Sequence, residues 1–373
     1  MTADPPAVLE RRLTRHADVR AVLADPRFLV PAAPAAQPGT GMAWLRGAVS
    51  RFSNGAEHAC RRARAEGLLD ALDPVRLRRE AREQAGAELA GGSRVDVMAR
   101  IARRVPVGVL ATRLGVPEDR REEVVAAVTA MAAAYHLPPA PGAASAGDAA
   151  VAVLADALSE GEGLEPGLLA AVAGALVQAC DATAGLIGNT LAVVARLPAD
   201  LSVRWPVEAL LAETLRWDPP VRLTRRVAAE DATAGGVPVP AGAVLVLDLA
   251  AANRDPEVFP DPRRFDPGRF DPGRFDPGRF DPGRFDPGRF DSERFDSGPR
   301  RQGRGGSGGH LGFGSGIRPC PGERAALALA AGVVEAALTH RLADPEIPYE
   351  PSPNLRVPAS LHLEGTHTTK GPR

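Results

Sequence analysis

Apolar side chains recur every three to four residues over most of the first two hundred positions, which is the spacing of helices that bury one face. Prolines and glycines separate these stretches and mark where the helices end. The pattern predicts helices over residues 17–25, 56–72, 96–114, 118–135, 166–197 and 207–217. Two segments rich in proline, alanine and glycine, 30–41 and 136–147, are predicted to be loops, the second of them a mobile cover.

The longest predicted helix begins at Pro166, a residue that favours the first helical turn. Its middle is small and apolar on all sides, so we expect it to be buried. After residue 220 the pattern changes, and residues 236–247 are typical of a short β-hairpin. The fold class predicted from the pattern is therefore mainly α with small β-sheets.

Composition narrows the class of protein further. Hydrophobic residues make up 45% of the chain and charged residues 24%, as in globular proteins, and the net charge of −1 argues against nucleic-acid binding. Three cysteines cannot build a disulfide framework, and the N-terminus lacks the apolar stretch of a signal peptide. The longest apolar run, 167–177, is too short to predict a membrane span. We therefore expect a cytoplasmic protein.

A tandem repeat occupies residues 265–299. The unit Phe-Asp-Pro-Gly-Arg occurs five times without error from Phe265 to Arg289, and two altered copies follow. A period of five fits neither a helix nor a strand, and each Pro-Gly favours a turn, so we predict an irregular loop. Replication slippage of one native segment accounts for such a tract. An array of interaction sites is the alternative, because seven of the eleven phenylalanines lie in it.

The strongest local signal for chemistry is Phe313-Gly-Ser-Gly-Ile-Arg-Pro-Cys-Pro-Gly322, followed by a predicted helix over 323–338. Its glycines allow tight turns and a close approach of the backbone to a flat ligand. The N-terminus of the following helix and the side chain of Arg318 bring positive charge to the Cys320 sulfur, which favours a thiolate. A lone cysteine is more often a small buried apolar side chain, but this setting favours a ligand.

This pattern resembles the haem-binding loop of the cytochrome P450 family, and other motifs follow in that family's order. Glu213-Thr-Leu-Arg216 resembles its ExxR motif, and residues 252–262 resemble the stretch between that helix and the cysteine. The resemblance runs from about residue 13 to residue 363. It implies one P450-like domain over residues 1–373, shortened at its N-terminus, with the first helix and most strands of the first sheet missing.

The resemblance also implies the residues of a haem site. Cys320 would be the thiolate ligand of the iron of haem b, within a loop that includes Phe313, Gly316 and Gly322. The positions that bind the haem propionates in this family correspond here to His58, Arg62, Arg226 and Arg318. Glu213 and Arg216 would form a structural ion pair. An Arg-Phe of the following loop completes that pair in the family, but the repeats offer several identical copies and leave the register open.

The resemblance is weakest on the side where such enzymes bind dioxygen. The long helix of the family carries an acid followed by a threonine, whereas this chain has Asp181, Ala182 and then Thr183. Thr183 is therefore turned by about 100° around the helix from Ala182, which occupies the position of the family's threonine. We predict Asp181 and Thr183 as the catalytic residues of proton delivery. A water or a substrate hydroxyl could take the place of the missing group.

The resulting hypothesis is a haem-thiolate monooxygenase that oxidises a hydrophobic small molecule, in keeping with the secondary metabolism of bacterial relatives. A ferredoxin-type protein and its reductase would supply electrons. The expected pocket walls, 30–52 and 131–147, hold few polar side chains. Two alternatives stay open: a P450-like, non-catalytic helper of a glycosyltransferase, and a haem-thiolate enzyme that uses peroxide or performs no oxygenation.

Overall fold

The three-dimensional structure is a computed structural model of the 373-residue chain. It describes residues 10–34, 36, 41–135, 142–159, 164–197, 204–270 and 309–365. The helices of this part of the chain are α1 His16–Ala24, α2 Gly41–Ala48, α3 Gly55–Asp70, α4 Pro74–Ala90, α5 Arg104–Arg113, α6 Arg121–Tyr135, α7 Ala143–Leu158, α8 Pro166–Val194, α9 Val207–Trp217, α10 Leu249–Ala252 and α11 Glu323–Ala337.

The strands of the same residues are β1 Glu10–Leu13, β2 Phe28–Leu29, β3 Arg94–Asp96, β4 Leu223–Ala228, β5 Ala232–Ala234, β6 Val237–Val239, β7 Val244–Asp248, β8 His340–Leu342 and β9 His362–Gly365. A π-helical turn precedes α5, and short 3₁₀ turns cover Ser50–Phe52, Glu118–Arg120 and Pro267–Arg269. The predicted class, mainly α with small sheets, is thus the one observed.

Helix α8 forms the centre of the helical core, because it is small and apolar on every side. It contacts α2, α3, α5, α6, α7, α9 and α11. By length and composition α8 could cross a membrane, but two-thirds of its most apolar stretch is buried inside the protein, as in the core helix of a globular fold. The sequence predicted this helix and its burial correctly.

Helix α4 packs along α11 with a stripe of small and branched residues. Leu77, Ala81, Ala85 and Leu89 are buried at four-residue spacing on α4. The two backbones approach so closely at Gly332 that a Cβ there would lie 2.2 Å from the carbonyl oxygen of Arg78. This pairing holds α11, the helix that follows the Cys320 loop, against the rest of the core.

The largest sheet has the strand order β1-β7-β4-β2. β1 is parallel to β7, while β4 is antiparallel to both β7 and β2. A second sheet has the order β3-β9-β8, and β5 and β6 form a hairpin. We expected most strands of the first sheet to be missing, and that expectation is wrong, because β1 and β2 both pair within it.

Other predictions differ from the structure in position. The predicted hairpin over 236–247 is wrong in register, because β6 pairs with β5 across Gly235 and Gly236 while β7 joins the main sheet. Four helices were not predicted at all: α2, α4, α7 and the short α10. The predicted loop 136–147 contains the start of α7, and its residues 136–141 lie outside the described part of the chain.

Candidate active site

The Cys320 loop is folded by its own backbone. The N–H of Cys320 donates to the carbonyl of Phe313 over 2.8 Å, and the N–H of Gly314 donates to Leu311 over 2.9 Å. Gly314 and Gly316 have φ values of 74° and 69°, in the region that favours glycine. The loop ends at Gly322, which precedes the first turn of α11. The glycines are therefore needed for the turns that the sequence predicted.

A second element holds the loop from outside. The N–H of Ile317 donates to the carbonyl of Leu23, at the end of α1, over 3.2 Å. A Cβ on Gly316 would lie 2.2 Å from that same carbonyl oxygen, so any side chain would push the loop away from α1. Gly316 is thus a position of close backbone approach between α1 and the loop.

The thiol of Cys320 faces a large cavity. Burial raises the pKa of Cys320 to about 11, while a hydrogen bond from the backbone N–H of Gly322 and the positive charges of Arg62 and Arg51 act in the opposite direction. The protein alone therefore keeps this sulfur as a thiol at neutral pH. A metal ion that binds the sulfur must displace the proton, so binding releases one proton.

Arg318 is held beside this cavity by four hydrogen bonds. Its Nε donates to Nε2 of His58 over 3.2 Å and its Nη1 to the side chain of Asn54 over 3.1 Å. Its Nη2 donates to the carbonyls of Ser50 and Ser53. Because Nε2 of His58 accepts, this imidazole is neutral and its remaining N–H, on Nδ1, can donate to a ligand.

Arg62 and Arg226 lie near this pair, and we call His58, Arg62, Arg226 and Arg318 the cation cluster. Burial, then the charges of Arg318 and Arg62, lower the pKa of His58 to about 4. Burial, then neighbouring arginines, likewise lower the pKa of Arg226 and of Arg318 to about 10. All four residues line the same cavity as Cys320.

The cation cluster is short of negative charge. Arg62 pairs with Glu66 over 2.8 Å, but within the described residues neither Arg226 nor Arg318 has a carboxylate within 4 Å. Among the described residues Arg226 donates only to Oγ1 of Thr224 and to the carbonyl of Arg225, and it is 7% exposed. Buried guanidinium groups without an acid are costly unless a ligand supplies the anion.

These residues fit a haem. The cavity measures about 770 Å³ and reaches from the Cys320 sulfur to α8 and α2. Cys320 offers a sulfur ligand for an iron, while among the described residues Arg226 and Arg318 lack the negative charge that two propionates would bring. The sequence analysis named the members of this cluster, but it missed Asn54, whose side chain also accepts from the N–H of Val30 and positions Arg318.

Asp181, Ala182 and Thr183 on α8 all line the cavity. Nε of Arg103 donates to Asp181 over 3.0 Å, and Nη2 of Arg103 donates to both carboxylate oxygens of Glu350 over 2.8 Å. The carboxylate of Asp181 is thus tied to a chain of charges that leads to the partly exposed Glu350. No pattern in the sequence indicated Arg103, because it lies 78 residues before Asp181.

Glu213 and Arg216 form a fully buried pair on α9, with hydrogen bonds of 2.7 and 2.5 Å between the guanidinium and the two carboxylate oxygens. Burial raises the pKa of Glu213, and the hydrogen bonds from Arg216 oppose that rise. We call the pair, together with Asn253 and the segment 262–270 that surrounds it, the ExxR cluster.

The backbone around the pair satisfies its remaining polar groups. Arg216 donates to the carbonyls of Asn253, Pro262 and Arg264, and the N–H of Asp266 donates to Glu213 over 2.7 Å. Asn253 in turn accepts from the N–H of Leu311 over 2.7 Å, at the start of the Cys320 loop. The ExxR cluster therefore anchors that loop.

The structure selects a register for the repeat tract. Arg269 approaches Glu213 over 3.7 Å, and Phe270 is 4% exposed beside Ala209 and Ala212 of α9. The first copy, 265–269, thus completes the ExxR cluster, with Pro267–Arg269 as a 3₁₀ turn. The remainder of the predicted irregular loop, 271–299, lies outside the described residues.

Comparisons of the sequence point to one family. The sequence model described as Cytochrome P450 matches residues 205–280. Protein AknT of Streptomyces galilaeus is 36% identical over 226 residues, which are 51% of this chain and 48% of that protein. A putative cytochrome P450 140 of Mycobacterium tuberculosis is 45% identical over 105 residues, 26% of this chain and 24% of that protein. The alignments span about half the length of the curated relatives, or less.

Comparison of the folds extends the likeness to almost the whole chain. The crystal structure of P450BioI, in complex with an acyl carrier protein ligated with hexadec-9Z-enoic acid, has a TM-score of 0.72 at 22% identity, covering 95% of this chain and 92% of that one. The structure of CalO2 has a TM-score of 0.71 at 23% identity, covering 95% and 90%. The fold of the described residues is therefore that of these cytochrome P450 structures, and residues 205–280 match the sequence model of that family.

Proposed function

We propose that this protein is a haem-thiolate monooxygenase that oxidises a hydrophobic small molecule. The observation that carries the proposal is one cavity with the Cys320 thiol on one side and, beside it, Arg226 and Arg318, which have no carboxylate within 4 Å in the described part of the chain. This combination suits a ligand that carries both an iron and carboxylates. Haem b has both, and the likeness to the cytochrome P450 family implies a haem.

Each protein group has a part in holding the haem. Cys320 would bind the iron as a thiolate, with the N–H of Gly322 directed at its sulfur. Arg226, Arg318 and His58 would bind the propionates, and Arg62 would add positive charge from α3. When bound, haem supplies the capacity to activate oxygen, and thiolate ligation favours cleavage of the O–O bond. The apolar side chains of α8 exclude bulk water from this space.

Proton supply is assigned to Asp181. Its carboxylate lines the cavity, and Arg103 connects it with Glu350 near the surface. A shift of Arg103 toward Glu350 would free Asp181 to take a proton from solvent and carry it inward. Thr183 is 2% exposed and also lines the cavity, so its hydroxyl is the second candidate for holding a proton-bearing water there.

Electrons are proposed to come from a ferredoxin-type protein and its reductase. Relatives from Streptomyces suit a role in secondary metabolism, and we expect the protein to act in the cytoplasm.

The test is the absorption spectrum of the dithionite-reduced protein with and without carbon monoxide, compared with the variant Cys320→Ala. A strongly red-shifted Soret band in the wild type, absent from the variant, is the expected result. A band typical of a neutral ligand would contradict ligation by the Cys320 thiolate. Absence of haem would refute the oxidase and favour the non-catalytic helper of a glycosyltransferase.

Peroxide-dependent chemistry is the second candidate. It is favoured by Ala182, which stands where the family has threonine, and by the engagement of Asp181 with Arg103. Turnover supported by hydrogen peroxide is compared with turnover supported by dioxygen, ferredoxin and reductase. If dioxygen is used, Ala182→Thr should raise product formed per electron consumed, whereas a peroxide-dependent enzyme gains nothing from this substitution.

A further inference from the structure

The side chains that line the cavity are strongly unbalanced in charge. Asp181 is the only carboxylate among the described lining residues, and Arg103 already pairs with it. The cavity is lined by eight arginines: Arg46, Arg51, Arg61, Arg62, Arg64, Arg225, Arg226 and Arg318. An apolar substrate alone gives no reason for this excess of positive charge.

Half of these arginines are neutralised by acids that lie outside the cavity lining. The pairs are Arg61–Glu57, Arg62–Glu66, Arg64–Glu165 and Arg225–Glu10, with distances of 3.2, 2.8, 2.6 and 3.5 Å. In the part of the chain that the structure describes, the other four, Arg46, Arg51, Arg226 and Arg318, have no carboxylate within 4 Å. Two propionates of a haem would balance Arg226 and Arg318, which leaves Arg46 and Arg51 without an anion.

Arg46 is held in place by backbone carbonyls, and Asp148, which acts on its charge, lies beyond 4 Å from it among the described residues. Its Nε donates to the carbonyl of Tyr135 over 3.2 Å, and its Nη2 donates to the carbonyl of Ala134. These carbonyls belong to the last turn of α6, whose dipole favours a cation. Nη1 of Arg46 has no hydrogen-bond partner among the described residues. The guanidinium is thus positioned before any ligand arrives, and burial lowers its pKa.

Arg51 lies close to the same place. Its guanidinium carbon is 5.6 Å from the ring centre of Phe52, and the rings of Phe52 and Tyr135 are 5.3 Å apart. The charges of Arg46 and Arg51 both act on the hydroxyl of Tyr135, which places the two arginines near this side chain. Two guanidinium groups and two aromatic rings therefore form one wall of the cavity, which we call the arginine wall.

We propose that the arginine wall binds the carboxylate end of an otherwise apolar substrate, so that the rest of the molecule extends along α8. This inference rests on the proposed function in that the substrate shares its cavity with the haem. The sequence analysis expected few polar side chains on this wall, and Arg46 and Arg51 correct that expectation. Aliphatic carboxylates and acyl groups that end in an acid are the class of substrate that fits.

The experiment compares two ligands of equal chain length, dodecanoate and dodecan-1-ol, on protein whose carbon monoxide spectrum has shown thiolate-bound haem. Binding is measured from the shift of the Soret band in wild type, Arg46→Gln, Arg51→Gln, the double variant and Arg61→Gln. Wild type should bind dodecanoate about tenfold to hundredfold more tightly than dodecan-1-ol, the effect of a charged hydrogen bond. The double variant should lose this preference without weaker binding of dodecan-1-ol, and Arg61→Gln should keep it.

Equal affinity of wild type for both ligands would overturn the proposal, as would a preference for dodecanoate that survives in the double variant. If Arg46 had a purely structural role, Arg46→Gln would bind both ligands more weakly by the same factor, and this result would also overturn the proposal. If the protein binds no haem, the proposed function fails, and calorimetric titration of the haem-free protein with the same ligands and variants still tests the arginine wall. If the haem-free protein prefers dodecanoate and the double variant loses this preference, the result supports the arginine wall but not the proposed haem-dependent function.

Discussion

Two groups of buried charge lie on either side of the Cys320 loop, and they are built in opposite ways. In the ExxR cluster, Arg216 has both oxygens of Glu213 and three carbonyls as partners, and no part of its side chain is exposed. In the cation cluster, burial and then the charge of Arg318 lower the pKa of His58 and of Arg226, and within the described residues neither arginine has a carboxylate within 4 Å. The first cluster is complete within the polypeptide, and the second requires an anion from outside.

The difference separates a structural role from a binding role. A buried charge with all its partners stabilises the native state only as a unit, and removal of one partner is costly. A buried charge without partners lowers the free energy of unfolding of the ligand-free protein. A ligand that supplies the missing partner removes this cost and therefore stabilises the protein. Substitutions on the two sides should therefore have opposite effects on the haem-free protein.

The largest effect is expected for Glu213→Ala. It leaves the guanidinium of Arg216 buried without a counter-charge, so the free energy of unfolding should fall by about 3–5 kcal/mol. Urea unfolding of the haem-free protein measures it. The matched control is Glu57→Ala, which breaks the exposed pair with Arg61 and should cost less than about 1 kcal/mol. A loss below about 1 kcal/mol for Glu213→Ala would mean that the ExxR cluster is not a structural unit.

The next effect concerns the cation cluster. Arg226→Gln should weaken haem binding by about 1.5–3 kcal/mol, because one charged hydrogen bond to a propionate is lost. The same substitution should leave the stability of the haem-free protein unchanged or higher, because a desolvated charge near Arg318 is removed. Haem transfer to an acceptor protein measures the change in haem affinity, and urea unfolding measures the change in the free energy of unfolding. A fall in both would show that Arg226 supports the fold itself.

A pH dependence follows from His310, which lies beside the ExxR cluster. Burial, then the charge of Arg216, lowers the pKa of His310 to about 3 in the folded state, against 6.5 for the free side chain. Between these values the unfolded chain binds more protons, so stability is lost as the pH falls below 6.5. The loss attributable to His310 should reach about 2 kcal/mol at pH 5.

Unfolding of the haem-free wild type and of His310→Gln at several pH values isolates this contribution. His58 also has a lowered pKa in the folded protein, so the difference between wild type and variant is the quantity of interest. The wild type should lose stability more steeply than the variant from pH 6.5 downward. Parallel curves would show that His310 keeps its ordinary pKa in the folded state.

The smallest effect is expected for Phe270→Ala in the full chain, although Phe270 is buried. The sequence Asp-Pro-Gly-Arg-Phe that follows it, 271–275, repeats the docked Asp266-Pro-Gly-Arg-Phe270, so the next copy offers the same side chains and carbonyls. We expect a loss below about 1 kcal/mol. In a variant without residues 270–289, where Phe290 follows Arg269, the corresponding Phe290→Ala should cost about 3–5 kcal/mol. Equal losses in both chains would rule out replacement by the next copy.

The features predicted best from the sequence are those whose residues are neighbours in the chain. The Cys320 loop and the Glu213–Arg216 pair each lie within ten residues, so spacing alone specifies their chemistry. Helix α8 was evident because it is apolar over 29 residues. In contrast, α4 was missed because two of its four core positions are alanine, which adds little to a hydrophobic pattern.

Pairings between distant segments could not be predicted in the same way. Arg103 and Asp181 are 78 residues apart, and the local sequence around either residue does not indicate its partner. Arg46 and Arg51 could be counted in the sequence, but their lack of an acid depends on which carboxylates the fold brings near. The register of the repeats was open for a related reason, since identical copies differ only in their distance along the chain from α9.

The contact between Gly316 and α1 has a consequence for the order of events in synthesis. The carbonyl of Leu23 receives the N–H of Ile317, which is added about 290 residues later. At a synthesis rate of about 5–20 residues per second, Leu23 waits roughly 15–60 s on the ribosome for its partner. Helix α1, which holds the Cys320 loop, is thus made well before the loop. The sulfur site is completed only when these two distant segments meet.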